Sequence, residues 1–464
     1  MTVARRLADF LTHTDLEDLP HQAIDHAAMV IASTLASAAA GTNIRSARII
    51  RDMERDNGGR SEASLWFDPG PRLPLPAAAR VNAMFSDAAA SDDSDLRNIV
   101  HAGTPLTAVS LALAERDRLR GDMVLAAVVL GYEAAGRISE AITPGFRERG
   151  FHGCLGAIFA ACVASARLLK LDAAHMAQAI AIAATSIGGL ATAADTSVAR
   201  EYHAGLATYL GVTASIAAQR GFKAEERILE APRGFFEAFG GVDGSVGAEI
   251  ALRDLGQSWD IVTDMAIKLM PGGHPYHALA EAAANAARDG DIAPDQVESI
   301  TIHRPGMTAL HGPLHPLTLI DMAHSPAFFA AAGVADRGLT WAHADPDKIV
   351  DPAIQRLIDH VHVGAPPTED VARYRQGATV SVRALDGRTS TSTVFAPKGA
   401  GLLGISWNDI DAKFRTLVPM AGVDAGAIEG SLDMLHQFRS LRDIGSLLAG
   451  LQVHVPRPVG STGS

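Results

Sequence analysis

The chain has 464 residues, 48% apolar and 20% charged, and a mean hydropathy of +0.12. That composition excludes general disorder, and the length suggests about two or three domains. The net charge is 40 − 52 = −12, which disfavours nucleic acid or an anionic membrane as the main partner, since both need clustered Lys and Arg.

From the start to about Ile267 the pattern predicts helix after helix. Ile24, Ala27, Ala28, Ile31 and Leu35 follow Leu19-Pro20 at helical spacing, and Gly41 closes the run. Pro76–Phe85 forms a second helix. Thr104-Pro105 pairs an N-cap residue with proline at the first helical position of a third, and Asp122 caps a fourth over Val124–Ile138. In that helix Glu133 and Arg137 stand four apart and pair across one turn. Further helices are expected at Gly156–Leu169, Ala173–Ile187, Gly205–Arg220 and Glu225–Leu229, with small residues on their faces. After Lys268, Ile300–His303 alternates like a strand. Thr379–Leu385 and Thr391–Phe395 read as a hairpin about Asp386-Gly387, with helices at Ala278–Ala287, Ser325–Ala335 and Pro352–Val361 among the strands. Trp407–Leu417 and Ile428–Leu448 return to helix. The expected fold is mainly α with α+β. A large all-helical domain (1–267) is followed by a smaller α/β lid (268–404), C-terminal helices that rejoin the helical domain (405–451) and a tail (452–464) that reads as disordered over Pro456–Ser464.

Two cysteines, Cys154 and Cys162, are too few for a four-Cys zinc site, a cysteine-held cluster or a disulfide framework, which points to a reducing cytoplasm. The N-terminus shows no leader pattern. The most apolar stretch, Ala27–Gly41, falls short of the ~20 residues that span a bilayer.

Four constellations carry titratable groups. Ser91-Asp92-Asp93-Ser94-Asp95 precedes His101-Ala102-Gly103-Thr104-Pro105. Arg149-Gly150-Phe151-His152-Gly153-Cys154 enters a helix of small residues, and Arg200-Glu201-Tyr202-His203 opens another. Lys268-Leu269-Met270-Pro271-Gly272-Gly273-His274-Pro275-Tyr276-His277 sets a scarce lysine beside two histidines. Histidines before helix N-termini supply titratable bases, and the dipole there favours neutral imidazole. His274 and His277 have the spacing of a metal pair, yet Pro275 lies between them and no nearby acid or cysteine completes a set. His311, His315, His360 and His362 are assigned to loops and strand ends. Dinucleotide, Walker, zinc-protease and nucleophile-elbow motifs are absent from the sequence. The residues alone describe an acid–base enzyme for a small anion, with no metal or organic cofactor.

These motifs resemble the MmgE/PrpD family, which includes 2-methylcitrate dehydratase, cis-aconitate decarboxylase and iminodisuccinate epimerase. The resemblance spans nearly the whole chain: Asp18-Leu19-Pro20, Gly131-Tyr132-Glu133, Arg149-Gly150-Phe151-His152, His203-Ala204-Gly205, Leu229-Glu230 with Gly234-Phe235, Lys268 with Pro271 and His277, and Lys413-Phe414. It implies a homodimer with a helical domain and a lid, acting on a small di- or tricarboxylate by moving a proton at the carbon α to a carboxylate. Where the family motif runs H-A-x-D-[FY]-D-D-T, this chain has Asp87-Ala88-Ala89-Ala90-Ser91-Asp92-Asp93-Ser94, so Ala90 replaces an acid. Arg200 stands where relatives often carry Lys. These departures favour an epimerase of the iminodisuccinate type over a hydro-lyase or decarboxylase, with a non-catalytic carboxylate binder as the rival of another class. The expected proton carriers are His101 and His152, helped by Asp93 and answered from the lid by His274 or His277. Arg200, Lys268, His203 and Tyr202 are the expected carboxylate binders.

Overall fold

Small residues let the N-terminal helices approach closely. In the computed structural model, which describes residues 1–452, helices His21–Gly41 and Leu75–Ala88 are buried along most of their length. A Cβ on Gly41 would stand 1.8 Å from the Phe85 carbonyl oxygen, so this crossing tolerates no side chain. Gly103–Asp117, Gly121–Ala141, Cys154–Leu168 and Ala199–Gln219 pack beside them around one core. The Glu133–Arg137 pair forms at 2.5 Å, and the second Glu133 oxygen accepts from the Asp260 N–H at 2.9 Å.

The lid carries a four-stranded mixed sheet. Its strands are β3 (Val297–His303), β4 (Val361–Val363), β5 (Ala378–Ala384) and β6 (Thr389–Val394), in the order β4-β3-β5-β6. β3 and β4 run parallel and the other pairs antiparallel. Alternate residues Ala378, Val380, Val382 and Ala384 enter a second core, against helices His277–Asp289 and Pro326–Asp336. The first core also takes in Ile410, Phe414, Leu432, Leu435 and Leu447 from the C-terminal helices. The molecule is thus a large helical body with a small α/β lid.

Several local expectations change. Glu225–Leu229 is a run of turns closed by i→i+3 bonds such as Ile228 N–H to Glu225 O, because so short a segment does not offset the cost of helix nucleation. Ile428–Leu448 splits into Ala425–His436 and Gly445–Gly450. Helices begin at Gly103 and Gly121, so Thr104 and Asp122 lie inside first turns rather than at caps. Helices Val3–His13 and Arg45–Asn57 and strand β4 went unanticipated. His21–Gly41 is long and apolar enough to cross a membrane, but it is the buried centre of the helical core. Of the expected tail, residues 453–464 lie outside the described residues.

Candidate active site

A two-stranded ribbon brings the acidic motif to the lysine motif. β1 (Asp93–Asp95) pairs antiparallel with β2 (Met265–Ile267), Asp93 opposite Ile267, which sets Lys268 beside Asp92. Lys268 Nζ donates to Asp92 Oδ1 at 2.6 Å, and His101 Nδ1 meets Asp92 Oδ2 at 2.9 Å. Burial opposes ionisation of Asp92, but His101 and Lys268 prevail and hold its carboxyl well below the usual range. Burial likewise opposes a charged His101, yet Asp92 raises it above the ordinary histidine value. The neutral His101 expected from a helix dipole is therefore corrected, since a carboxylate in contact outweighs the dipole. The Nδ1 edge of His101 is engaged by Asp92 and by the Asp93 carbonyl at 2.6 Å, leaving Nε2 toward the cleft.

Asp93 serves behind the histidine. Its carboxylate accepts both the Gly103 N–H, at 2.9 and 3.0 Å, and the Tyr132 hydroxyl at 3.1 Å. Burial, and then the charge of Asp92, push it up to about 6. Behind Asp92, Lys413 donates to Ser33 Oγ at 2.7 Å and to the Ser91 carbonyl, and burial pushes it down to about 7.

A cleft of about 540 Å³ opens between body and lid, and His101, His152, Arg200, Lys268 and His274 all line it. Burial, followed by the charge of His101, holds His152 well below the ordinary histidine value. His274 is lowered too, by burial and then by His277, and neither of its ring nitrogens has a partner among the described residues. One histidine that favours its charged form thus shares a cleft with two that stay neutral.

Arg200 Nε bonds Asp87 Oδ2 at 3.1 Å and its Nη2 bonds the Asp87 carbonyl at 2.6 Å. His203 sits behind His152, their ring centroids 5.2 Å apart. From there His203 does not line the cleft, against the expectation that it binds a carboxylate, and two further expected site residues fall elsewhere. His277 is 1% exposed beneath His274, against Phe329, and does not line the cleft. Tyr202 is 42% exposed and lies under the Arg80 guanidinium, because it sits about 200° around its helix from Arg200. Sequence reasoning missed the Asp92 hub and three cleft residues: Arg147, His311 and His324. Arg147 lies five residues before His152, near enough to have been paired with it. His311 and His324 converge only through lid folding.

This arrangement, an acid–base cleft between a helical body and a lid, has clear relatives. The MmgE/PrpD N-terminal domain model matches residues 5–245 and the MmgE/PrpD C-terminal domain model residues 270–430. The chain belongs to the MmgE/PrpD family. It is 24% identical to a human cis-aconitate decarboxylase over 455 residues, covering 96% of this chain and 93% of that protein. A cis-aconitate decarboxylase of Aspergillus terreus is 26% identical over 306 residues, covering 61% of this chain and 60% of that protein.

Proposed function

We propose that this protein is a cofactor-independent enzyme that moves a proton at the carbon α to a carboxylate of a small di- or tricarboxylate. One observation carries the proposal: a histidine held toward its charged form faces the same cleft as two neutral ones. Environments that push like groups apart assign them opposite roles. His101, backed by Asp92, delivers a proton or donates to the developing enolate-like oxygen. His152 or His274 accepts one near pH 7. Lys268 and Arg200 supply fixed positive charge where the developing negative charge sits, and Arg147 at the rim holds a substrate carboxylate. The resemblance read from the sequence implies a homodimer, and the free thiols suit a reducing cytoplasm.

Carbon–carbon cleavage is favoured by the relatives, both named cis-aconitate decarboxylase. In such a cleavage the pair left by departing CO₂ spreads into the neighbouring carboxylate, and an imidazolium quenches it. Epimerisation is the second reading. It is favoured by imidazoles on two walls, His152 from the body and His274 from the lid, of which the neutral one takes the α-proton and the other returns a proton it has first drawn from the charged His101. NMR in D₂O over a panel of dicarboxylates and tricarboxylates separates them. Release of CO₂ or water marks a lyase, whereas α-proton exchange without cleavage marks an epimerase. Neither, with every substrate bound, overturns the enzyme and leaves a carboxylate-binding protein.

A further inference from the structure

The proton-transfer scheme leaves Cys154 and His203 without a task, although both crowd His152. We propose that His152, Cys154 and His203 form a capture site for a borderline-soft divalent cation of the zinc class. Inhibition by that cation is the consequence, and this part alone rests on the role given to His152 above.

One donor atom from each of the three side chains lies within 4.8 Å of the other two. Nδ1 of His152 and Nδ1 of His203 are both buried with no hydrogen-bond partner among the described residues, an unusual state for polar atoms. The Cys154 thiol makes only long contacts, 3.8 Å to the His152 carbonyl and 3.6 Å to that of Gly188. All three groups are therefore free to turn toward a shared ion.

Zinc holds nitrogen at about 2.0–2.1 Å and sulfur at about 2.3 Å, so tetrahedral donors stand roughly 3.3–3.8 Å apart. Closing the present spacing takes a shift of about 1 Å, within reach of small imidazole and thiol rotations. The backbone is already disposed for it. Cys154 begins helix Cys154–Leu168, His203 lies in the first turns of Ala199–Gln219, and Gly153 links the other two ligands. Gly189 closes the outer side, where a Cβ would come within 2.5 Å of Cys154 Sγ and 3.3 Å of the His203 ring. The fourth position opens to the cleft that His152 and Gly153 line, leaving it for water or a substrate carboxylate.

A two-nitrogen, one-sulfur set selects zinc, cobalt or copper over magnesium or calcium, which prefer oxygen. The charge of Asp87 acts on both Cys154 and His203, while His101, Arg200 and Arg147 act on His152 in the opposite sense. A cysteine ligates as its thiolate, so the ion binds as the Cys154 thiol gives its proton to solvent, one proton released per ion.

The test uses the full-length metal-free enzyme, titrated with Zn²⁺ against a chromophoric chelator and separately with Co²⁺ in an absorption cell. The expected result is one ion per chain and a thiolate-to-cobalt charge-transfer band, while Mg²⁺ does nothing. Turnover should fall in step with Zn²⁺ occupancy. Cys154→Ala should keep metal-free turnover, lose the band and bind Zn²⁺ roughly tenfold or more weakly. Cys154→Ser serves as a second variant, with the same loss of the band, should alanine unsettle the helix start. Unchanged Zn²⁺ affinity in a folded Cys154 variant, or no cobalt band in the wild type, overturns the site. Stoichiometric binding with the band but full turnover upholds the site and overturns the role proposed for His152.

Discussion

The Lys268–Asp92 contact offers the sharpest test of how the site is built. Lys268→Met removes the ammonium 2.6 Å from a carboxylate that is fully buried. At an effective dielectric of about 20, that attraction is on the order of 6 kcal/mol, part of which offsets the cost of burying both charges. Breaking one side of such a pair typically costs about 3–5 kcal/mol, because the remaining charge is stranded. His101 still touches Asp92 at 2.9 Å and shares the burden, which favours the lower part of that range. Adding Asp92→Asn takes away the stranded charge, so the double variant should be more stable than Lys268→Met alone, measured by urea denaturation. Activity should behave differently. Loss of a fixed cation costs about 2–4 kcal/mol of transition-state stabilisation, roughly 30- to 900-fold in kcat/KM, and Asp92→Asn should not restore it. A double variant destabilised by the sum of the two single changes would refute the view that Asp92 depends on Lys268 for its charge.

Arg147→Ala should raise KM roughly tenfold with kcat little changed, because a rim guanidinium with no ion pair among the described residues binds substrate and transition state alike; an unchanged KM across the carboxylate panel refutes this. His152→Gln or His274→Gln should cost about 10²–10⁴ in turnover; in an epimerase both should, each still exchanging the α-proton of one enantiomer while failing to interconvert the pair, and near-wild-type turnover in both would move the bases elsewhere. Burial, then Lys268, lowers His277 to about 3, so below about pH 6.5 the unfolded chain takes up a proton that the folded one refuses. Stability is therefore lost as pH falls, and relative to His277→Gln the wild type should lose about 1.4 kcal/mol per pH unit between roughly pH 6 and 4; parallel curves would refute the assignment. Exhaustive EDTA treatment should not lower turnover, and a loss restored by a divalent metal would refute cofactor independence.

The helical body was legible because its signals are local: apolar spacing, small-residue faces and a closing glycine are all written within one helix. The β5–β6 hairpin was legible for the same reason, through Asp386-Gly387 between alternating runs. Long-range pairing was not. Strand β4 is three residues long and exists only because it lies parallel to β3 after a helical excursion. The β1–β2 ribbon joins segments about 170 residues apart, so nothing near Asp92 in the sequence announces its lysine. The cleft histidines were individually visible, but which of them face it was not. His274 and His277 are near neighbours in sequence, yet only the former reaches the cleft, since His277 begins the helix packed against Phe329. The charge on His101 was likewise hidden, because it depends on a carboxylate nine residues away that folds back into contact.

The departures from the family motif acquire a physical meaning together. Ala90 has φ +50°, a left-handed backbone that Asp tolerates better than Ala, and its carbonyl accepts the Gly272 N–H at 2.8 Å. The turn that joins the acidic motif to the lid is thus kept while its side-chain acid is gone. Asp87 and Arg200, standing where the family motif has His and relatives often have Lys, have become partners. Their pairing does not remove Arg200 from substrate binding. A guanidinium carries five N–H donors in one plane, and Asp87 engages only Nε and Nη2. The Nη1 edge stays free on a side chain that lines the cleft, held in one orientation by a buried carboxylate. A lysine there would present a mobile point charge that also gives up protons. Arg200 presents a fixed donor edge that does not. Under the proposed function, that exchange leaves proton transfer to the imidazoles, so that binding and proton movement fall to different residues.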